Sequence, residues 1–332
     1  MIDFKAWLPL VIAPLFAFAN FTAAQDQTEL KAGIIGLDTS HSLAFTKILN
    51  DETTKGYIPG CKVVVAYPYG SRDIESSTSR IPDYTEKMKA MGVEIAPAIE
   101  KLLEKVDVVF LETNDGRPHL EQARLVIAAG KPLFIDKPIT ASLKDAVTIF
   151  EEAKAANVPV FSSSSLRFAP TTLAARNGEM GTVLGCDAYS PASLEATHPD
   201  LFWYGIHGVE TLFTVMGTGC ESVVRLSTDD TDLVAGTWKD GRIGTFRGMR
   251  AGKRGYGGTV YTDKAIAAVG DYGGYQPLVV EIVKFFRTHE PPVSARETLE
   301  IYAFMEAADV SKKKGGVPVS IAEVLKQAGY SE

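Results

Sequence analysis

KAGIIGLDTSHSLAFTKIL, residues 31–49, runs from an apolar segment through a polar turn into a second apolar pattern. Ala32–Leu37 is a short apolar run suited to a buried parallel strand, and Leu43, Ala44, Ile48 and Leu49 then recur at helical spacing. A strand, a tight turn and a helix N-terminus place backbone N–H groups and the positive helix end where a pyrophosphate can sit. The dinucleotide fingerprint G-x-G-x-x-G, set in register, falls on Gly36, Asp38 and His41, so only its first glycine is present. A carboxylate at Asp38 repels a phosphate by roughly 1 kcal/mol at ~4 Å even in bulk water. Two readings of the turn stand side by side. Gly36, Asp38, Thr39, Ser40 and His41 contact a cofactor through backbone and hydroxyl groups, or Asp38 or Ser40 caps the helix and His41 is its exposed first turn. A metal held by Asp38 and His41 lacks a third ligand fixed by sequence, and none is expected.

The chain has 332 residues, 45% hydrophobic and 23% charged, which suits a soluble protein of about two domains. A net charge of -7 gives no reason to expect nucleic acid as a partner. Residues 1–24 carry one lysine, an apolar stretch over Ala6–Phe21 and the small-residue site Thr22-Ala23-Ala24. They are expected to be a secretory signal removed after Ala24, with an uncleaved anchor as the other reading. Export to the periplasm or outside the cell follows, without a twin arginine, so a cofactor would be acquired where free nicotinamide nucleotide is scarce. Cys61, Cys186 and Cys220 have no metal-ligand spacing, and buried free thiols are expected.

Beyond the first unit, strands are expected at Cys61–Tyr67, Val93–Ala96, Val106–Leu111, Pro132–Ile135 and Val158–Phe161. Helices lie between them, one capped by Ser142. This alternation predicts a doubly wound α/β sheet over residues 29–162. From 163 to 332 the pattern changes to longer strands, Thr182–Ser190, Ser222–Ser227, Leu233–Trp238, Ile243–Met249 and Thr259–Val269, with one helix at Leu201–Met216. Helices near Pro277–Arg287 and Ala295–Lys313 follow. The expected second domain is α+β, an open, mostly antiparallel sheet with helices on one face. Ser162–Ser165 is serine-rich but has no nucleophile elbow around it, so a serine hydrolase is not expected.

In order, these motifs resemble the Gfo/Idh/MocA oxidoreductases, named for glucose–fructose oxidoreductase and inositol dehydrogenase, over nearly the whole mature chain. Gly33–Gly36 matches the family's opening, and Asn114–His119 its strand-end turn. Phe134-Ile135-Asp136-Lys137-Pro138 matches its Glu-Lys-Pro signature with Asp for Glu. Leu166–Pro170 matches Arg-Phe-x-Pro, and Gly205–Glu210 its Gly-x-His-x-x-Asp segment. The resemblance implies NAD or NADP as cofactor, contacted by Thr113, Asn114 and Asp136, and a carbohydrate or polyol as substrate. Lys137 would hold the reacting oxygen, His207 would take the hydroxyl proton, and Arg167 would contact substrate, with an inter-domain salt bridge as its equal alternative. A homo-oligomer is expected by family analogy alone.

The chain departs from the family at three places. The glycine fingerprint is depleted. The second strand ends in Ala66-Tyr67-Pro68 where an acidic residue would take the ribose, while Ser71 and Arg72 could hold a 2′-phosphate. Trp203 stands four residues before His207 where the family commonly has Asp, and Trp203, His207 and Glu210 would share one helical face. A tryptophan there suits stacking on a sugar ring, and His198 and Asp200 are candidates for the lost polar function. The competing reading is a non-catalytic exported carbohydrate-binding protein that has lost its cofactor.

Overall fold

The computed structural model describes residues 28–330, and the expected signal segment lies outside them. The first half runs β1 (Leu30–Ile35), α1 (Ser40–Asn50), β2 (Cys61–Tyr67), α2 (Glu75–Thr78), α3 (Ile81–Ala90), β3 (Glu94–Ile95), α4 (Ile99–Leu103) and β4 (Val108–Leu111). It continues through α5 (His119–Ala128), β5 (Leu133–Ile135), α6 (Leu143–Ala155) and β6 (Val160–Ser162). The six strands form one parallel sheet in the order β3-β2-β1-β4-β5-β6. The order of strand addition reverses between β1 and β4, and a crevice opens there beyond the strands' carboxyl ends. Every residue of β4, β5 and β6 is buried, as a sheet covered on both faces requires.

The second half contains α7 (Pro170–Arg176), β7 (Val183–Pro191), α8 (Asp200–Trp203), α9 (Ile206–Met216), β8 (Cys220–Ser227), β9 (Thr231–Trp238), β10 (Ile243–Met249) and β11 (Gly257–Thr262). Next come β12 (Ile266–Val269), α10 (Gln276–Thr288), α11 (Ala295–Lys313), β13 (Val319–Ser320) and α12 (Ile321–Gln327). Its seven strands run β12-β11-β7-β10-β9-β8-β13, antiparallel except for the β7–β10 pair. The α/β plus α+β expectation therefore holds, with one parallel pairing inside the second sheet.

Three local expectations are corrected. The helix expected over Leu201–Met216 is two, because Tyr204 leaves helical backbone angles (φ -134°) and Gly205 starts α9 afresh. Trp203 therefore does not share a helical face with His207 and Glu210. The strand expected over Thr259–Val269 is a hairpin: the Thr262 hydroxyl accepts from Lys264 N–H (3.1 Å) and Ala265 N–H (2.8 Å), closing a turn. Thr39, rather than Asp38 or Ser40, caps α1 by accepting from His41 N–H.

Helix α10, from the second half of the sequence, packs on the parallel sheet. Its Phe286 meets Phe110 edge-on with ring centroids 5.1 Å apart, and its Phe285 meets Phe161 at 4.7 Å. Contacts of this kind add about 0.5–1.5 kcal/mol each beyond the area they bury. The three cysteines are buried free thiols. Among the described residues, no helix is long and apolar enough to cross a membrane.

Candidate active site

A cavity of about 400 Å³ lies at the carboxyl end of the parallel sheet, between α1 and the segments that carry α8 and α9. Thr39, Ser40 and His41 line it from the start of α1, Asn114 from the turn after β4 and Lys137 from the turn after β5. Trp203, Tyr204 and His207 face it from the second half, with Tyr256, Tyr272 and Tyr275 contributed by loops. The pocket is thus polar at its base and aromatic around its mouth.

Lys137 and His207 meet here. Lys137 Nζ stands 5.8 Å from the Tyr204 ring centre and has no hydrogen-bond partner among the described residues, so it is free to donate to a bound oxygen. His207 Nδ1 lies 2.8 Å from Ser164 Oγ, which leaves Nε2 without a partner among the described residues. Burial first, and then the neighbouring Lys137 and His41, hold the His207 imidazole well below its ordinary pKa. A neutral imidazole fixed at one nitrogen is equipped to accept a proton at the other.

The turn after β1 is built differently from the fingerprint it replaces. Gly36 adopts φ +100°, and a Cβ there would lie 2.4 Å from Thr113 N, so glycine is required by the close approach of two strand-end turns. Asp38 is fully buried and does not line the cavity. Its Oδ1 accepts from Asn114 N–H at 3.0 Å, bracing the β1 turn against the β4 turn. This corrects the expectation of Asp38 as a cofactor contact. Burial, opposed in part by that Asn114 hydrogen bond, raises its carboxyl to about 6. A carboxyl raised above its unfolded value lowers stability as pH climbs from about 4 to about 6, and the whole cost remains above that range. Asp38→Asn keeps the acceptor and removes the charge. Thermal melts should show the variant gaining on the wild type by roughly 2–3 kcal/mol at pH 7.5 relative to pH 4. A difference that does not change with pH would show that Asp38 carries no such cost.

His41 is buried, not exposed: its Nδ1 lies 2.7 Å from Asp136 Oδ2, and its ring packs against Phe45 and Tyr275. Asp136 is therefore held by protein rather than open to a cofactor. Glu112, directly after β4, is fully buried beside it, with neither carboxylate oxygen hydrogen-bonded to any described residue. Burial and the neighbouring Asp136 push Glu112 well above the carboxylate range, while His41 and Lys137 hold Asp136 below it despite its burial.

Several expected contacts serve the frame instead. Arg167 is 2% exposed and donates from Nε to Glu210 (2.6 Å) and from Nη1 to Glu297 (2.7 Å), so neither Arg167 nor Glu210 lines the pocket. Ser163 Oγ also donates to Glu210, at 2.8 Å. His198 Nε2 lies 3.1 Å from Gly116 N and 3.3 Å from Asp115 Oδ1, and its ring packs on Trp203. Thr113 is buried, with its hydroxyl bonded to Gln122. Asp200 pairs with Arg225 and Lys312, away from the pocket. Arg72 is exposed and does not line the cavity. The ring of tyrosines was not read from the sequence, although three of them punctuate the Gly-rich stretch 251–275.

Toward the nicotinamide and diphosphate positions of a dinucleotide, the donor set fits. The N-terminus of α1 has no acidic residue in its first turn, and Thr39, Ser40 and Arg80 border the cavity there. Toward the adenosine position, beside the ends of β2 and β4, the crevice is bridged. Ser71 donates to Asp115, and Arg117 pairs with both Asp115 and Asp73, each at 2.7 Å. The Arg117–Asp73 pair lies between partly exposed side chains, where solvent screening weakens it, so a ligand can displace it.

Residues 30–164 match a family described as the oxidoreductase family, NAD-binding Rossmann fold. Over this region the chain is similar to the Gfo/Idh/MocA oxidoreductases. No curated protein matches the sequence. Among solved structures, a probable dehydrogenase from Thermotoga maritima superposes with a TM-score of 0.71 at 21% identity, covering 89% of this chain and 100% of that one. The myo-inositol dehydrogenase of Lactobacillus casei, solved with NAD(H) and myo-inositol, gives 0.69 at 16% identity over 88% and 97%. An oxidoreductase from Agrobacterium radiobacter, solved with NAD+, L-tartaric acid and magnesium, gives 0.69 at 16% over 90% and 100%. At these identities the likeness is one of fold.

Proposed function

We propose that the protein is an exported oxidoreductase that acts on a hydroxyl of a carbohydrate or polyol, using bound NAD or NADP in net or transient hydride transfer. The observation that carries this reading is the convergence of Lys137 Nζ and His207 in one aromatic-rimmed cavity at the carboxyl end of an NAD-family sheet. Bound nicotinamide would supply the hydride acceptor or donor. Thr39, Ser40 and Arg80 would hold its diphosphate at the start of α1.

Lys137 donates to the reacting oxygen and favours its negative charge as the O–H proton leaves. His207 Nε2 takes that proton, with Ser164 fixing the ring through Nδ1. Tyr204, Tyr256 and Trp203 offer flat apolar faces with polar edges, which suits the two sides of a sugar ring. Solved relatives named for inositol dehydrogenation support a polyol substrate class. The second sheet exposes Leu184, Tyr189, Ile243 and Ile266, the last 74% exposed, which supports pairing of this face between copies.

The reading is tested by following reduced nicotinamide while a panel of polyols, aldoses and glycosides is offered with NAD or NADP. Turnover with at least one of them, lost in His207→Ala, is the expected result. No redox change, exchange or epimerisation with any of them would count against the proposal.

A further inference from the structure

We propose that His41, Glu112 and Asp136 form a binding site for a divalent cation beside the floor of the pocket. A ring nitrogen of His41 and one carboxylate oxygen from each of Glu112 and Asp136 lie within 4.8 Å of one another, and all three residues are buried. Donors about 2.1 Å from a single ion stand about 3.0–4.3 Å apart, so the group needs only a small contraction to share one. The three come from separate elements: His41 from the first turn of α1, Glu112 from the end of β4 and Asp136 from the end of β5. The sheet therefore gathers them independently of any local motif.

What points to a ligand is the state of the oxygens. Glu112 is 0% exposed and, among the described residues, both its carboxylate oxygens lack hydrogen-bond partners, as does Asp136 Oδ1. Buried carboxylates in folded proteins are paired, hydrogen-bonded or coordinated to metal. Among the described residues no hydrogen-bonding group satisfies them, while a second carboxylate and an imidazole lie close by. A divalent cation balances the charge of two carboxylates and takes the unused lone pairs. One imidazole nitrogen with two carboxylate oxygens is a set that suits Zn2+ or Mn2+. Asp38 lies outside this group, engaged with Asn114.

Of the three ligands His41 lines the cavity, and Asp136 is followed directly by Lys137. The ion would therefore sit within reach of the pocket, where water or a substrate oxygen can complete its coordination. The inference stands on these side chains and is independent of the nucleotide.

The test is metal content of the full chain, freed of metal with a chelator, reconstituted separately with Zn2+ and Mn2+, desalted and measured by elemental analysis. Binding of Mn2+ is followed in parallel by its electron paramagnetic resonance signal. Wild type should retain one equivalent of at least one of the two ions. Changing even an outer partner of a metal ligand costs about 10–100-fold in affinity, so Glu112→Gln should lose at least about 100-fold. Asp136→Asn is the second variant should the first fold poorly, and circular dichroism of each checks the fold. Wild type that retains neither ion, or a folded Glu112→Gln that binds as tightly as wild type, would overturn the site.

Discussion

Replacing Lys137 with alanine should lower kcat by at least about 10³-fold while moving the melting temperature by no more than a few degrees. The two halves of that expectation have different origins. Lys137 Nζ makes no hydrogen bond to the described protein and faces the cavity, so its removal leaves no protein group newly unpaired. Its loss does strip the reacting oxygen of its only lysine donor in the pocket, as the lining residues stand. Lys137→Arg should not rescue fully, because a guanidinium fork cannot occupy the place of a single ammonium. Steady-state kinetics with the best substrate found, beside thermal melts, check the prediction. Turnover within about tenfold of wild type would remove Lys137 from the chemistry.

Arg167→Ala should behave in the opposite way, destabilising the fold by about 3–5 kcal/mol and lowering the melting temperature by on the order of 10 °C. Its guanidinium is buried between Glu210 on α9 and Glu297 on α11, and Arg176 shares Glu297. Taking the arginine away leaves Glu210 buried without its cation. Because Glu210 lies three residues beyond His207 on the same helix, a secondary fall in kcat follows from a shifted imidazole. A substrate contact would instead raise KM and leave the melt unchanged. Denaturant unfolding with parallel KM and kcat measurements separates the two, and a normal melt with a raised KM would contradict the structural role.

These two residues also show what the sequence could and could not reveal. Strands β2 and β10 were legible to the residue, because CKVVVAY and the run from Ile243 to Met249 are short β-rich runs bounded by turn residues. The place of Lys137 was legible too, since a lysine after an apolar strand has to face a crevice or a partner. The partners of Arg167 were not: it and Glu210 are 43 positions apart, and the choice between substrate contact and buried pair depends on tertiary packing. His41 and Asp136, 95 positions apart, pose the same difficulty, and nothing local marks Glu112 as the third member of their group. The break at Tyr204–Gly205 was hidden for another reason. Apolar periodicity continues through it, and one glycine is weak evidence against a helix.

The replaced fingerprint has a physical explanation of the same kind. Asp38 occupies the second glycine position without entering the cavity, because its side chain turns inward to the Asn114 N–H. A sequence pattern treats that position as a phosphate contact, whereas the folded chain uses it as a brace between two turns.

A pocket that works on a bound nicotinamide nucleotide has to hold one. The most direct test is titration of the metal-free and metal-loaded full chain with NAD(H) and NADP(H) by calorimetry, after mass spectrometry of any nucleotide released on denaturation. The expected result is a released nicotinamide dinucleotide, or saturable binding of one of them at about micromolar Kd, or ~8 kcal/mol. No released nucleotide and no binding of either up to about millimolar concentration, in both forms, would contradict it.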